Sequence, residues 1–343
     1  MKIFILISLF SMHALGNDCS NIRLDAPPYF GDELSAQNQG SSGLCFAFTA
    51  AYLVDYMRMK KSNKKDNFRS SPLLLALDYK TNGFYIGKGN HVDGGIACPT
   101  ILRTKKIYSN VLDHKLYDDV NYSTFLNQLQ ELYDDHSLRI SKGEANDFFF
   151  EAPRFDDRTL VCGTKQVLSN FLGEIPLLFG DVLIAINQPT FPSFVDALFK
   201  KYKKENVSLR NTLSCEDYDF SPFLNSKKSL LRKINQSLNQ KKPIGIGYCG
   251  NQLLREAESC GPHASPLIGR RFKQGKCEYL IQNSEGPACD VQIDYKYCKN
   301  QGRFYKVGDQ CYEKLYAHEC EAGKIWVNEK ELLKSIYRVT VVK

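Results

Sequence analysis

The stretch QNQGSSGLCFAF, residues 37–48, decides how this chain is read. Small polar residues run up to a single cysteine, Cys45, and an apolar segment begins at once after it. From Leu44 to about Met59 the chain is apolar almost all round, with Phe46, Ala47, Phe48, Ala50, Ala51, Leu53, Val54, Tyr56 and Met57. That pattern predicts a helix buried on most of its faces. Arg58, Lys60 and Lys61 close it with the cations a helix C-terminus favours. Cys45 therefore falls at a loop–helix junction, where the helix N-terminus favours thiolate over thiol.

Working outward, the chain has 343 residues, enough for one large domain or two ordinary ones with a sizeable core. Hydrophobic residues make up 43% and charged residues 24%, as in ordinary soluble globular proteins. The net charge of +7 is spread along the sequence. Its lysine runs, KKSNKK (60–65) and KKYKK (200–204), lack interleaved aromatics and read as solvated helix ends and loops, so no nucleic-acid partner is expected.

The first residues, MKIFILISLFSMHALG, join one lysine, an apolar run to about Leu15 and small residues at Ala14 and Gly16. This is the pattern of a signal peptide over 1–16, cleaved near Gly16, and the run is too short to span a bilayer comfortably. Asn17 and Asp18 separate the small residues from Cys19, which argues against a lipid anchor. The expectation is an exported (secreted or periplasmic) protein, not held in a membrane after cleavage, with 17–343 as its mature domain.

Export makes disulfides the first reading of the 12 cysteines, seven of which lie from Cys249 onward. Their spacing lacks paired C-x-x-C elements, so disulfides outweigh a zinc site even with His318 nearby, and no metal is expected. If Cys45 stays a thiol, eleven cysteines remain, so at least one more is free or pairs between chains.

Further helices are expected over 70–81, after the Gly-Gly turn of 92–106, and over 122–135. DVLIAI (181–186) reads as a strand, 192–205 as an amphipathic helix and the triplet Phe148–Phe150 as core. From residue 226 an amphipathic helix leads into a strand over 243–248. Strand-like segments follow at 261–272 and 277–289, and the chain closes with strand, helical turn and strand. Helices gather in the N-terminal part and strands in the C-terminal part, which is the α+β pattern.

A reactive thiol needs an imidazole, and the partner need not be near in sequence. His13 lies in the signal peptide, and His91, His114, His136 and His318 have polar surroundings. His263 stands at the start of a predicted strand, between CGP and an apolar run. Asn283 ends the next strand, YLIQN. Alone, the first reads as a core histidine and the second as a turn asparagine.

Together, Cys, His and Asn in this order resemble the papain-like cysteine peptidase family. NQGSSGLCFAF (38–48) is similar to its nucleophile segment, HASPLIG (263–269) to its histidine strand and YLIQNSEG (279–286) to its asparagine strand. DGG (93–95) resembles its substrate-binding Gly-Gly element, and GKIWV (323–327) its closing strand. The resemblance implies a helical N-terminal subdomain packed on a C-terminal antiparallel β-barrel-like subdomain, with the active-site cleft between them. It makes Cys45 the nucleophile, His263 the acid and base, Asn283 the group that orients the imidazole, and Gln39 an oxyanion-hole donor. Gly94, Gly95 and Ala264 are then expected to bind a polypeptide substrate, without any cofactor.

His263 follows Cys45 by 218 residues, against about 130–150 for the family. The excess of roughly 70–90 predicts an insertion or expanded loops within about 107–225. Only a short segment separates the expected cleavage site from the nucleophile segment, so an N-terminal inhibitory prodomain is not expected. Control would come from the insertion, from export or from a separate protein inhibitor. Departures from the family's pattern are Ser42 for a structural cysteine, Leu44 for a small residue, Phe46 for Trp, and Glu285 for the Trp that shields the Asn–His contact. A carboxylate at 285 is expected to favour imidazolium if it lies near His263, and to wet that contact. The alternatives are a catalytically impaired binding protein on the same fold, or a cysteine amidase or acyl-transferase acting on cell-wall peptides.

Overall fold

A computed structural model describes residues 19–26, 37–40, 42–62, 69–81, 91–103, 107–109, 122–141, 162–169, 179–200, 204–207, 213–221, 225–255, 258–293, 304–307 and 310–343. The expected signal peptide and the Phe148–Phe150 triplet lie outside these residues.

The elements in chain order begin with β1 (Ile22–Arg23), α1 (Cys45–Ser62), α2 (Pro72–Thr81), α3 (Ala97–Arg103) and β2 (Ile107–Ser109). Next come α4 (Tyr122–Ser141), α5 (Phe179–Ile186), α6 (Phe191–Phe199), β3 (Lys204–Val207), β4 (Cys215–Asp219), α7 (Lys227–Asn239) and β5 (Ile244–Cys249). The chain continues through α8 (Gly250–Arg255), β6 (Pro262–Lys273), β7 (Lys276–Gln282), β8 (Asp290–Ile293), β9 (Phe304–Val307) and β10 (Gln310–Lys314). It ends with β11 (Glu319–Glu321), β12 (Lys324–Asn328), α9 (Glu329–Ser335) and β13 (Ile336–Val342).

Helix α1 is buried nearly all round, as its apolar sequence requires, and it is shared by two cores. Leu44, Phe46, Ala47 and Phe48 pack with Leu73, Leu77, Phe125 and Phe194 in a helical core. Ala50, Leu53, Val54 and Met57 pack with Ile244, Ile246, Leu267, Leu280 and Val339 in a core beneath the sheet. The change of partner falls within two turns of Cys45, so the N-terminus of α1 emerges where the two halves meet.

The sheet runs β11-β12-β7-β6-β5-β13-β4, with β1 added on β6, and its pairings are antiparallel. The overall class is therefore α+β, with helices against an antiparallel sheet. The barrel-like closure expected from the sequence is not formed among the described residues. Closure requires the edge strands to pair with each other. Here the three-residue β11 pairs with β12, while β4, at the far edge, pairs with β13.

Two local expectations are corrected. Residues 181–186 belong to α5 rather than to a strand. Val182, Ala185 and Ile186 are buried while Ile184 is 66% exposed, which is a helical face; a short apolar run does not distinguish the two periods by itself. The helix expected over 192–205 stops at Phe199. Its start is set by the Thr190 side chain accepting from the Ser193 N–H, and its buried face is Phe191, Phe194, Val195, Leu198 and Phe199. Beyond Phe199 the sequence is nearly all charged and offers nothing to bury; Lys204–Val207 pairs instead with Ile107–Ser109.

Disulfides join Cys19–Cys277, Cys98–Cys215, Cys249–Cys260 and Cys289–Cys320, and Cys311 is cross-linked as well. Cys98–Cys215 fastens α3 to edge strand β4. Cys45 and Cys162 are the free cysteines among the described residues. No helix among those residues is long and apolar enough to cross a membrane.

Close approach of α1 to β5 depends on Gly245. A Cβ there would lie 3.0 Å from Thr340 Cβ, 3.2 Å from Leu53 Cδ1 and 3.2 Å from Thr49 Cγ2. Gly245→Val should push α1 off the sheet and cost about 1–3 kcal/mol by overpacking, read as a lower urea midpoint at unchanged slope. An unchanged midpoint would contradict this packing.

Candidate active site

The Leu44 carbonyl accepts the N–H groups of Ala47 (2.8 Å) and Phe48 (3.1 Å), so Cys45 stands in the first turn of α1. Leu44 itself is fully buried, which fixes the direction in which the chain enters the helix. The loop before it is held by Gly94, whose N–H donates to the Gly43 carbonyl at 3.0 Å and whose φ is +72°. Gly95 lies flat on the Phe46 ring, where a Cβ would meet Cε2 at 2.5 Å. The structure thus places Gly94 and Gly95 directly beside the loop that leads into Cys45.

His263 is the second residue of β6 and pairs across the ladder with Tyr248 of β5. Its ring meets the Tyr248 ring edge-on, with centroids 5.5 Å apart, and Tyr248 Oη is 2.9 Å from Ser265 Oγ. Gly250 permits the approach, since a Cβ there would lie 2.9 Å from His263 Cβ. Asn283 follows β7 immediately, and the β6–β7 hairpin sets it beside the histidine. Its Oδ1 is 2.8 Å from His263 Nε2, which leaves Nδ1 to face the cysteine. The amide is 1% exposed; its Oδ1 also accepts the Ser284 N–H at 2.9 Å, and its Nδ2 donates to Tyr316 Oη at 3.1 Å.

Gln39 is brought to the same place from the other side. Its N–H donates to the Ser284 carbonyl at 2.7 Å. Ser284 Oγ donates to its Oε1 at 2.7 Å, which turns the amide nitrogen toward the Ser42 carbonyl, 3.0 Å away. A carboxamide nitrogen carries two donors, so one remains for a ligand. Ser284 therefore braces both Asn283 and Gln39.

Electrostatics couple the thiol and the ring. Burial raises the Cys45 pKa, but the hydrogen bond and charge of His263, with the N–H groups of Ala264 and Phe46, outweigh it and hold the thiol below its ordinary 9.0. For His263, burial opposes the charged form. The hydrogen bond and charge of Cys45, then Asn283 and then Glu285, leave it above its ordinary 6.5. The pair therefore favours thiolate with imidazolium. Glu285 is the last of these causes, and its carboxylate forms an ion pair with Arg255 at 3.3 Å. It does not wet the contact as its sequence position suggested: Asn283 is enclosed, with Tyr316, itself 3% exposed, against its amide nitrogen.

The structure thus brings together Cys45, His263, Asn283, Gln39, Gly94, Gly95 and Ala264. His318 has Nε2 2.7 Å from the Leu253 carbonyl oxygen. Ser284, Tyr316 and Arg255 were not singled out in the sequence. Ser284 could have been, as a hydroxyl next to the candidate asparagine; Tyr316, 33 residues further on, carries no local signal.

No protein-family model matches the chain, and no curated protein matches it. Solved structures do. One, from work on antibody cross-reactivity between the mite allergens Blo t 1 and Der p 1, aligns over 97% of this chain and 73% of its own, at 12% identity and a TM-score of 0.45. Another, the digestive procathepsin L 3 of Tenebrio molitor larval midgut, aligns over 90% of this chain and 66% of its own, at 10% identity and a TM-score of 0.38.

The coupling makes a signed prediction for reactivity. Alkylation of Cys45 by iodoacetamide should titrate below pH 9.0 in the native protein. In His263→Ala only burial and two backbone donors remain, so the midpoint should move upward. A downward or absent shift in that variant would contradict the assignment.

Proposed function

We propose that this chain is an exported, papain-like cysteine peptidase that hydrolyses peptide bonds through a thioester. The observation that carries the reading is the continuous chain from the Cys45 thiol at a helix N-terminus, through the His263 ring, to the buried Asn283 oxygen at 2.8 Å.

The Cys45 thiolate attacks the peptide carbonyl carbon. The developing oxyanion is received by the Cys45 backbone N–H and the remaining Gln39 amide N–H, groups already aimed before reaction. His263 gives its Nδ1 proton to the leaving amine, which departs as the thioester forms. It then takes a proton from water attacking that thioester and keeps it, so that expulsion of the thiolate as the acid leaves restores imidazolium beside thiolate. Asn283 holds the ring in plane through both transfers. Gly94 and Gly95 line the side of the cleft next to the nucleophile loop, where an extended substrate backbone is expected to lie, with Ala264 on the histidine side. The disulfides suit an oxidising compartment, and removal of 1–16 as a signal peptide agrees with that destination. Residues 17–343 are read as one peptidase domain, expanded within about 107–225.

Turnover of a peptide library by the wild type, set against Cys45→Ala, tests the reading. Cys45→Ala is expected to abolish cleavage and labelling by a thiol-reactive peptide epoxide, and Gln39→Ala to lower kcat about 10²–10³-fold. A wild type whose Cys45 resists the epoxide, or a Cys45→Ala variant that still cleaves, would overturn it. Glu285 leaves its mark on the alkaline side: Glu285→Trp removes a charge that favours imidazolium, so the alkaline limb of the pH–rate curve should move to lower pH. Superposition of the two curves would refute a role for the carboxylate.

A further inference from the structure

Given that reading of the site, we infer that Tyr316 is a positioning residue, holding the Asn283 carboxamide with its oxygen toward His263. The two ends of a carboxamide are nearly alike in shape, so packing alone does not choose between them. A flipped Asn283 would turn an N–H against the ring N–H and lose the bond to the imidazolium. The Ser284 N–H favours the observed orientation from the oxygen end, at 2.9 Å. At the nitrogen end, the favoured partner must accept, and Tyr316 Oη is the atom there, at 3.1 Å in a buried setting.

A hydroxyl can donate or accept, so something must aim it. On its other side lies Glu285 Oε2, at 3.5 Å, an acceptor that Arg255 holds in place. The hydroxyl hydrogen faces that carboxylate and a lone pair faces Asn283. Burial, with the charge of Glu285, pushes the Tyr316 pKa up to about 12, so the proton stays on. The backbone around it is pinned: the Ala317 N–H donates to the Leu254 carbonyl (2.8 Å) and the Leu315 N–H to the Cys289 carbonyl (2.9 Å), inside the loop closed by Cys289–Cys320. Such fixed support is what an aligned site requires.

Tyr316 also belongs to the core beneath the sheet, so the test must separate aiming from filling. Tyr316→Phe keeps the ring and removes only the hydroxyl. Alkylation of Cys45 by iodoacetamide, followed by mass spectrometry in a Cys162→Ser background, is measured from acid to alkaline pH, with kcat and KM alongside. Alkylation in the acid-to-neutral range is expected to slow about three- to tenfold, as loss of one buried hydrogen bond implies, and to converge with wild type at alkaline pH. The same loss is expected in kcat, with KM unchanged. In an Asn283→Ala background Tyr316→Phe should add nothing, because its partner is gone. Glu285→Leu, at a partly exposed position, should slow alkylation both through its own charge on His263 and through the aiming of Tyr316; only the second part vanishes in the Asn283→Ala background, which keeps the test open if Tyr316→Phe fails to fold. Wild-type alkylation in both variants, or an equal loss with and without Asn283, would overturn the inference. The expected alkylation pattern in a protein that cleaves no peptide would uphold the positioning role and refute the peptidase reading.

Discussion

The contact between the Cys45 sulfur and the His263 ring is the constraint on which the rest of the structure depends. One partner comes from the first turn of a helix, the other from the second residue of a strand, and a hydrogen bond between them tolerates only a few tenths of an ångström. Both halves of the molecule are built to meet that tolerance. Helix α1 is gripped by two cores at once, so it cannot slide without disturbing either. On the other side, Gly245 and Gly250 remove the side chains that would keep β5 and α8 away from the helix and the histidine. The disulfide Cys249–Cys260 closes the connection through α8 between β5 and β6, just before His263.

Around that contact the polar groups form one braced unit. Ser284 donates its N–H to Asn283 and its hydroxyl to Gln39, so the side chain bonded to the imidazole and the Gln39 amide share a support. Sharing has a cost in independence. A change that moves Ser284 would disturb both Asn283 and Gln39, and effects of substitutions here should be far from additive. Glu285 enters the same unit from the rim. In place of an apolar shield, the chain uses a carboxylate tied to Arg255, with a tyrosine beneath it covering the amide.

Much of this was legible in the sequence because the chemistry is local there. The all-round apolar run after Cys45 gave α1, and the spacing of Leu230, Ile234 and Leu238 gave the amphipathic α7. The hairpin that sets Asn283 beside His263 follows from two strand-like runs joined by a short turn. What was missed depends on distance or on context. Residues 181–186 are a short apolar run whose period only its surroundings decide. The open edge of the sheet is a matter of which strands meet, and no single strand carries that information. Tyr316 touches Asn283 across 33 residues, and nothing near it in sequence marks a role. Glu285 was noticed, and its pull toward imidazolium agrees with the expectation; its tie to Arg255 and the cover Tyr316 gives the Asn283 amide belong to the folded arrangement and not to the motif.

The central claim is that Cys45 and His263 form a thiolate–imidazolium pair, and the ultraviolet absorbance of the thiolate measures it most directly. The difference between wild type and Cys45→Ala, titrated over pH, cancels the signal of Cys162. The account predicts a thiolate signal whose midpoint lies below the ordinary 9.0 of a thiol and moves upward in His263→Ala. A signal that emerges only at or above 9.0 would contradict it.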